Sequence, residues 1–349
     1  MKRESLLGAV ALSLLLACGG PPKPPETPAE TPPDTGATPS ATPKPGPTEG
    51  PVAASTSDDV TKGTAAIKAG DWNAARASFE AALTKNPKQA DAHYYLGLVM
   101  DKTGDRAAAE KHYREALAIQ PDFPEPAENL VALLVEGQKY EEAITIAKKV
   151  LAKNAKNAEM QLNLAFALSG KGDVEGASKA FDDAVKLAPN DARFYLGYAQ
   201  HLAAAKKTDE AIAKLKQAQR VAGDDPGMLA SVALEQKNLR DFQSCVATLD
   251  HAIKLKDAAE LRVYRGHCKL GLKDLPGALA EFQAAVGKEP NSAPAYYSLG
   301  GALADSGKLK EAIGSWEAYL KLAPNGPLAK QAEAKIKKAK ELLAKGGKK

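Results

Sequence analysis

Residues 96–121 read LGLVMDKTGDRAAAEKHYREALAIQP, and residues 299–324 read LGGALADSGKLKEAIGSWEAYLKLAP. Leu96-Gly97, Ala109, Tyr113, Ala116 and Pro121 of the first stretch stand at the same offsets as Leu299-Gly300, Ala312, Trp316, Tyr319 and Pro324 of the second. The frame recurs elsewhere. Leu164, Ala177, Phe181, Ala184 and Pro189 carry one copy, and Gly266, Ala278, Phe282, Ala285 and Pro290 another. Upstream, Gly63, Ala75, Phe79, Ala82 and Pro87 form the first. Pro87, Pro121, Pro189, Pro290 and Pro324 are 34, 68, 101 and 34 residues apart, which is one, two, three and one periods with a single residue missing. A fixed period of this length outranks any local motif, because it describes one structural unit used many times.

Each period reads as helix. Leu96, Val99 and Met100, then Ala109, Tyr113, Ala116 and Leu117, fall at helical spacing. Gly70, Gly104, Gly172 and Gly307 lie between two such stretches, where a left-handed helix cap is easiest for glycine. The prolines follow the second stretch, as a residue that cannot continue a helix. Gly97, Ala109 and Ala116 are small enough to let paired helices approach, and Tyr113 and its counterparts fill the space between them. Composition agrees: 44% of residues are hydrophobic but only 5% aromatic, with 26% charged, a balance dominated by strong helix formers. With 47 Lys+Arg against 43 Asp+Glu the net charge is +4, which excludes the dense positive field of a nucleic-acid binder over the whole chain.

These residues resemble the tetratricopeptide repeat, a helix–turn–helix unit of this period. The resemblance covers residues 56–326 as eight units beginning near Thr56, Ala90, Pro124, Ala158, Ala192, Pro226, Ala259 and Ala293. Units from Pro124, Ala192 and Pro226 are degenerate, with Ala155, Gly223 and Asp257 where the family often has a closing proline, and Cys245 at a small-residue position. The expected fold is all-α, a right-handed α-solenoid in which each unit buries its apolar face on a neighbour. Residues 327–349 should supply a basic capping helix and tail, with Ile336, Ala339, Leu342 and Leu343 on its inner stripe. Residues 328–349 hold eight Lys and two Glu, a net of +6, which reads first as a solvated face and second as a contact for lipid, glycan or nucleic acid.

In the family, the second, fifth, ninth, twelfth and thirteenth residues of each first helix line a concave groove. Carried onto this chain, the resemblance implies a partner-binding groove of Tyr94, Leu98, Glu128, Leu162, Phe166, Leu196, His267 and Tyr297. Acidic groups fall in the same slots at Asp91, Asp101, Glu125, Glu136, Glu159 and Glu260, with Lys68, Lys102, Arg193 and Lys237 as a basic minority. Apolar anchors with acidic flanks suit an extended or helical segment carrying apolar and basic residues. The Lys/Asn/Lys/Arg set with which chaperone-binding members hold a C-terminal carboxylate is missing. Some groove aromatics could equally be partly buried packing residues.

The N-terminal region has a different character. Lys2 and Arg3 precede an apolar run of 11 residues, Leu6 to Leu16. That is too short for a membrane-spanning helix, which needs about 20 residues, and fits a signal peptide over residues 1–17. Leu15-Leu16-Ala17-Cys18 resembles the lipobox of bacterial lipoproteins, which implies lipidation of Cys18. Gly19, in place of the Asp of an inner-membrane retention signal, points to an outer-membrane lipoprotein facing the periplasm, with the cell surface as the other possibility. Residues 18–55 form a linker with twelve prolines between Pro21 and Pro51, too polar to order itself and expected to act as an extended tether.

No phosphate-binding glycine loop, H-E-x-x-H pair or G-x-S-x-G elbow occurs. The five histidines lie in different predicted helices, and His267-Cys268 lacks further ligands at useful spacing, so no metal, cofactor or catalytic residue is expected. Asp182-Asp183 and Asp224-Asp225 read as solvated carboxylates. Cys245 and Cys268 fall in successive repeats; an oxidising compartment would let them pair, and two separate buried thiols is the simpler expectation. The expected function is a non-catalytic, monomeric, lipid-anchored scaffold or assembly factor that recruits envelope proteins, as in pilus, secretin, motility or outer-membrane assembly. The alternative is a cell-wall-associated regulator binding peptidoglycan or its synthases through the basic C-terminus. A third reading, an accessory domain of an enzyme, has no flanking catalytic sequence to support it.

Overall fold

A computed structural model describes residues 57–346. The expected signal peptide, Cys18, the proline-rich linker and the last lysines lie outside the described residues. Among the described residues there are seventeen α-helices and no strand. They run α1 (Asp58–Lys68), α2 (Trp72–Lys85), α3 (Ala90–Lys102), α4 (Arg106–Ile119), α5 (Pro124–Glu136), α6 (Tyr140–Lys153), α7 (Ala158–Lys171), α8 (Val174–Leu187) and α9 (Ala192–Ala204). Then follow α10 (Thr208–Ala222), α11 (Pro226–Asn238), α12 (Phe242–Leu255), α13 (Ala259–Gly271), α14 (Leu275–Lys288), α15 (Ala293–Asp305), α16 (Leu309–Leu322) and α17 (Ala329–Gly346). The first sixteen are the helix pairs of the eight expected repeats. The chain divides into two compact units after Lys207, within the turn of the fifth repeat.

Every repeat turns between its helices in the same way. One residue takes a left-handed conformation: Gly70, Gly104, Gln138, Gly172, Lys206, Arg240, Lys273 and Gly307, with φ between 58° (Gln138) and 91° (Gly104). The next N–H closes back on the helix just ended, as in Asp105 N to Met100 O at 2.9 Å and Asp241 N to Gln236 O at 2.8 Å. That bond is the signature of a left-handed helix cap. In five repeats the donor is an aspartate whose side chain then starts the second helix, as Asp71 Oδ1 accepts from Ala74 N at 2.9 Å and Asp274 Oδ1 from Gly277 N at 2.9 Å. One residue thus ends one helix and caps the next, satisfying backbone groups that have no partner inside either helix. The four glycines were legible in the sequence; the four side-chain-bearing residues hold the same conformation because the repeat imposes it.

The core of each repeat is a size match between its two helices. Tyr113 on α4 is fully buried and packs against Gly97 of α3, where an added Cβ would come within 2.7 Å of the ring. Trp316 lies on Gly300 in the same way, at 2.6 Å, and Phe79 and Phe282 repeat the contact on Gly63 and Gly266. The third repeat inverts it, with Val131 on the first helix and Ala147 on the second, both fully buried. The sixth pairs Ala233 with Leu249.

In the second unit Cys245 of α12 and Cys268 of α13 form a disulfide. This corrects the expectation of two separate thiols: packing of α12 against α13 in successive repeats brings the two sulfur atoms together. Nearby, Glu281 of α14 is buried and accepts from Arg265 at 2.7 Å and Lys269 at 2.9 Å. Burial pushes its carboxyl up, but the two cations outweigh that and hold it below the ordinary value. The capping helix α17 buries Ala329, Ala332, Ile336 and Ala339 against the eighth repeat, with Leu343 half-buried. Leu342, expected on that stripe, is instead 47% exposed, because the helical repeat carries the stripe from Ala339 to Leu343.

Changing Gln138, Lys206, Arg240 or Lys273 to glycine should stabilise the protein. A left-handed L-residue costs about 1–2 kcal/mol, and the added freedom of glycine in the unfolded chain returns part of that, leaving roughly 0.5–1 kcal/mol per site. Urea melts of the single variants read this directly. A loss of stability at these sites would show that their side chains hold the turn rather than tolerate it.

Candidate functional site

The first unit contains α3, α5, α7 and α9, the helices whose inward slots carry Tyr94, Leu98, Glu128, Leu162, Phe166 and Leu196. These six divide by burial. Tyr94, Leu162 and Leu196 are buried, at 9%, 6% and 8% exposure, so most of their surface is already spent on packing. The Tyr94 ring lies 4.9 Å from Tyr95 and 5.4 Å from Phe123. Burial first, then Glu125, Tyr95 and Glu128, hold its phenol well above the ordinary range, so it stays a neutral hydroxyl.

Leu98 and Phe166 are half-buried and keep surface to offer. Phe166 is fixed from two sides. Its edge meets Phe181 at 5.3 Å and 90°, and its tip rests on Gly197 of α9, where a Cβ would come within 2.6 Å. A ring held this way is presented in one orientation, which lowers the entropy lost on binding.

The polar slots are organised too. Glu128 accepts from Asn157 Nδ2 at 2.8 Å, which ties α5 to the cap of α7. Arg193 bridges Glu159 and Asp191, each at 2.5 Å, so among the basic slot residues of this unit Arg193 is already neutralised. Asp101 and Glu136 are partly buried and burial pushes both carboxyls up. Glu136 also feels Asp101, and pairs with Arg106 at 2.7 Å. The first-unit slots are therefore apolar at Leu98 and Phe166 and predominantly acidic around them.

His267 and Tyr297 belong to the second unit and do not join that set. His267 is half-buried, meets the Phe282 ring at 5.2 Å and shares a hydrogen bond with Ser298 Oγ at 3.1 Å. Tyr297 donates to Gln331 Oε1 of the capping helix at 3.1 Å, and the Lys335 ammonium covers its ring at 5.6 Å. The cap already occupies it. Leu234, 37% exposed, takes the same ninth slot in the sixth repeat that Leu98 and Phe166 take in theirs, and the repeat frame alone could have found it. A cleft of about 580 Å³ in the first unit, lined by Arg114, Leu117, Pro121, Ile146, Val150 and Lys153, was not anticipated. It lies between the second helices α4 and α6, with Pro124, Ala127 and Leu130 of α5 also lining it, away from the first-helix slots.

Among the described residues no three His, Cys, Asp or Glu stand close enough to hold a metal, and no helix is long and apolar enough to cross a membrane. The histidines, on different helices as expected, still meet in one place: His93 Nδ1 lies 3.1 Å from His112 Nδ1, while His93 Nε2 faces the Pro87 carbonyl at 3.1 Å.

A stack of helical hairpins with small-residue seams and inward-facing slots defines a helical-repeat scaffold. The tetratricopeptide repeat description matches residues 60–124 and 265–327, and a second pattern with the same description matches 134–200 and 170–235. The chain belongs to the tetratricopeptide repeat family, whose fold generally serves as a non-catalytic scaffold for protein interaction. It is similar to Protein FlbA of Caulobacter vibrioides, at 30% identity over 128 residues, which is 37% of this chain and 22% of that one. It is also similar to Cellulose synthase operon protein C of Xanthomonas axonopodis pv. citri, at 25% identity over 266 residues, 70% of this chain and 18% of that one. The chain thus spans about a fifth of the length of these relatives. The crystal structure of yeast Tom70 shares the fold, with a TM-score of 0.59 at 17% identity over 83% of this chain and 66% of Tom70.

Burial holds the imidazoles of His112, His201 and His267 below their ordinary value. His201 is the most enclosed, at 5% exposure, with Ser169 Oγ at 2.8 Å from Nδ1 and Ser178 Oγ at 3.1 Å from Nε2. A base depressed in the folded state binds its proton first when unfolded, so its contribution is complete above ~6.5 and is lost as pH falls below that. The stability gap between the parent and His201→Gln should therefore shrink between about pH 7.5 and about pH 5.5. Chemical melts at both pH values read the gap, and an unchanged gap would contradict the assignment.

Proposed function

We propose that this chain is a non-catalytic scaffold or assembly factor of the bacterial cell envelope, anchored through a lipid on Cys18, whose first unit holds a segment of a partner protein. The observation that carries the reading is the pair Leu98 and Phe166. Both are half-exposed apolar side chains in inward slots, Phe166 is locked by Phe181 and Gly197, and half-buried acids surround them. Interface energy concentrates in a few such rigid apolar anchors. The acids Glu125, Glu128, Asp101 and Glu136 favour a segment that brings lysine or arginine beside its apolar residues.

Two further observations support the envelope. The Cys245–Cys268 disulfide suits an oxidising compartment such as the periplasm. The Leu15-Leu16-Ala17-Cys18 stretch has the form of a lipidation signal, and its Gly19 favours the outer membrane. That one relative is named for a cellulose synthase operon is in keeping with a place beside a multi-protein assembly.

A crosslinking pull-down from envelope membranes tests the reading, with metabolic fatty-acid labelling of the parent and Cys18→Ala run in parallel. Leu98→Ala should weaken partner recovery by roughly 1–3 kcal/mol with little change in melting, and Phe166→Ala by as much with some loss of melting temperature, since its ring also packs on Phe181 and Gly197. Tyr94→Ala should act through the fold, at a cost of about 3–5 kcal/mol. Recovery unaffected by both groove variants would move the partner to another surface, and equal labelling of Cys18→Ala would remove the anchor.

A further inference from the structure

The capping helix α17 carries a second surface. Its inner stripe of Ala329, Ala332, Ile336 and Ala339 is buried, and Lys330, Lys337, Lys338 and Lys345 project from the opposite side, all exposed. The helix's other two lysines are engaged within the fold. Lys335 lies over the Tyr297 and Trp316 rings at 5.6 and 5.5 Å, and Lys340 pairs with Glu317 at 3.1 Å. Glu333 and Glu341 are the helix's acids, so its six lysines leave a net of +4, and Lys348 and Lys349 continue the charge in sequence.

Leu342 gives this face its character. It is 47% exposed, more than any other large apolar side chain among the described residues, and stands one helical turn from both Lys338 and Lys345. A capping helix needs a polar outer face, but it does not need an exposed leucine with a lysine one turn to either side. Lysines flanking a projecting apolar side chain are the arrangement of segments that lie at a membrane interface, where the ammonium groups meet headgroups and the apolar group enters the acyl boundary. A nucleic acid would use the charge and leave the leucine idle.

We infer that the outer face of α17, centred on Lys337, Lys338, Leu342 and Lys345, docks on the surface of an anionic phospholipid bilayer. The interaction is electrostatic first. Each lysine near an anionic membrane contributes roughly a five-fold gain in partitioning, which salt screens. It is independent of the groove on the first unit and of the lipid on Cys18.

The chain from residue 18 onward, carrying Cys18→Ala to remove acylation, is cosedimented with vesicles of phosphatidylcholine alone and of phosphatidylcholine mixed with phosphatidylglycerol. Binding is expected on the anionic vesicles only and should weaken as salt is raised. The triple variant Lys337→Gln/Lys338→Gln/Lys345→Gln should lower partitioning by roughly a hundred-fold, and Leu342→Ser by several-fold. Lys335 and Lys340 are kept in both, so the cap stays in place, which an unchanged melting temperature checks. Equal binding to neutral vesicles, or a triple variant that binds like its parent, would overturn the inference. Duplex DNA bound as tightly as the anionic vesicles, with Leu342→Ser without effect on either, would also overturn it and leave a general polyanion surface.

Discussion

A ring resting on bare backbone is the contact from which this fold is built. Tyr113, Trp316, Phe79 and Phe282 cross from the second helix of their repeats to the first and lie where glycine leaves no Cβ. The helix axes can then approach closely while a large apolar side chain is removed from water, which stabilises more per residue than an aliphatic pair would. Where one partner shrinks, the other adjusts: Ala233 faces Leu249, and Val131 takes the bulk that Ala147 lacks. Complementary volume is therefore the conserved quantity across the repeats of this chain, and residue identity is not. In a chain with only 5% aromatic residues, four of the rings are placed at this one position.

The turn between helices depends on the same spacing. A left-handed residue and a backward backbone bond recur at every repeat, whether the residue is Gly104 or Arg240. Where a ring lies on glycine, or a smaller pair such as Ala233 and Leu249 takes its place, complementary volume sets the spacing of the two helices, and the turn must span it. Arg240 and Gln138 accept a conformation their side chains disfavour because the packing on either side fixes both ends. The glycines are readable in the sequence because they announce that conformation; the other four are readable only from the period.

The period likewise made the helix order, the repeat boundaries and the capping helix legible, since each follows from apolar spacing along the chain. What remained hidden was whatever depends on how neighbouring repeats meet. Cys245 and Cys268 are separated by a turn and a helix boundary, and nothing local says that their sulfur atoms face each other. The groove slots were readable as positions, but not their burial. Tyr94 disappears behind Tyr95 and Phe123, and the half-buried Tyr297 is engaged by Gln331 and Lys335, while Leu98, Phe166 and Leu234 keep exposed surface. Burial in a repeat array is set by the next repeat, which explains why one slot can be core in one unit and surface in another.

The measurement that bears most directly on this account is a double-mutant cycle at the second repeat. Gly97→Ala alone should destabilise the protein by about 1–3 kcal/mol, because the new methyl group meets the Tyr113 ring. Combined with Tyr113→Leu, it reproduces the Ala233/Leu249 pairing of the sixth repeat, and there Gly97→Ala should be neutral or stabilising by up to ~1 kcal/mol, the helix-propensity gain of alanine over glycine. A cost for Gly97→Ala that is the same in both backgrounds would show that the ring contact does not set the helix spacing.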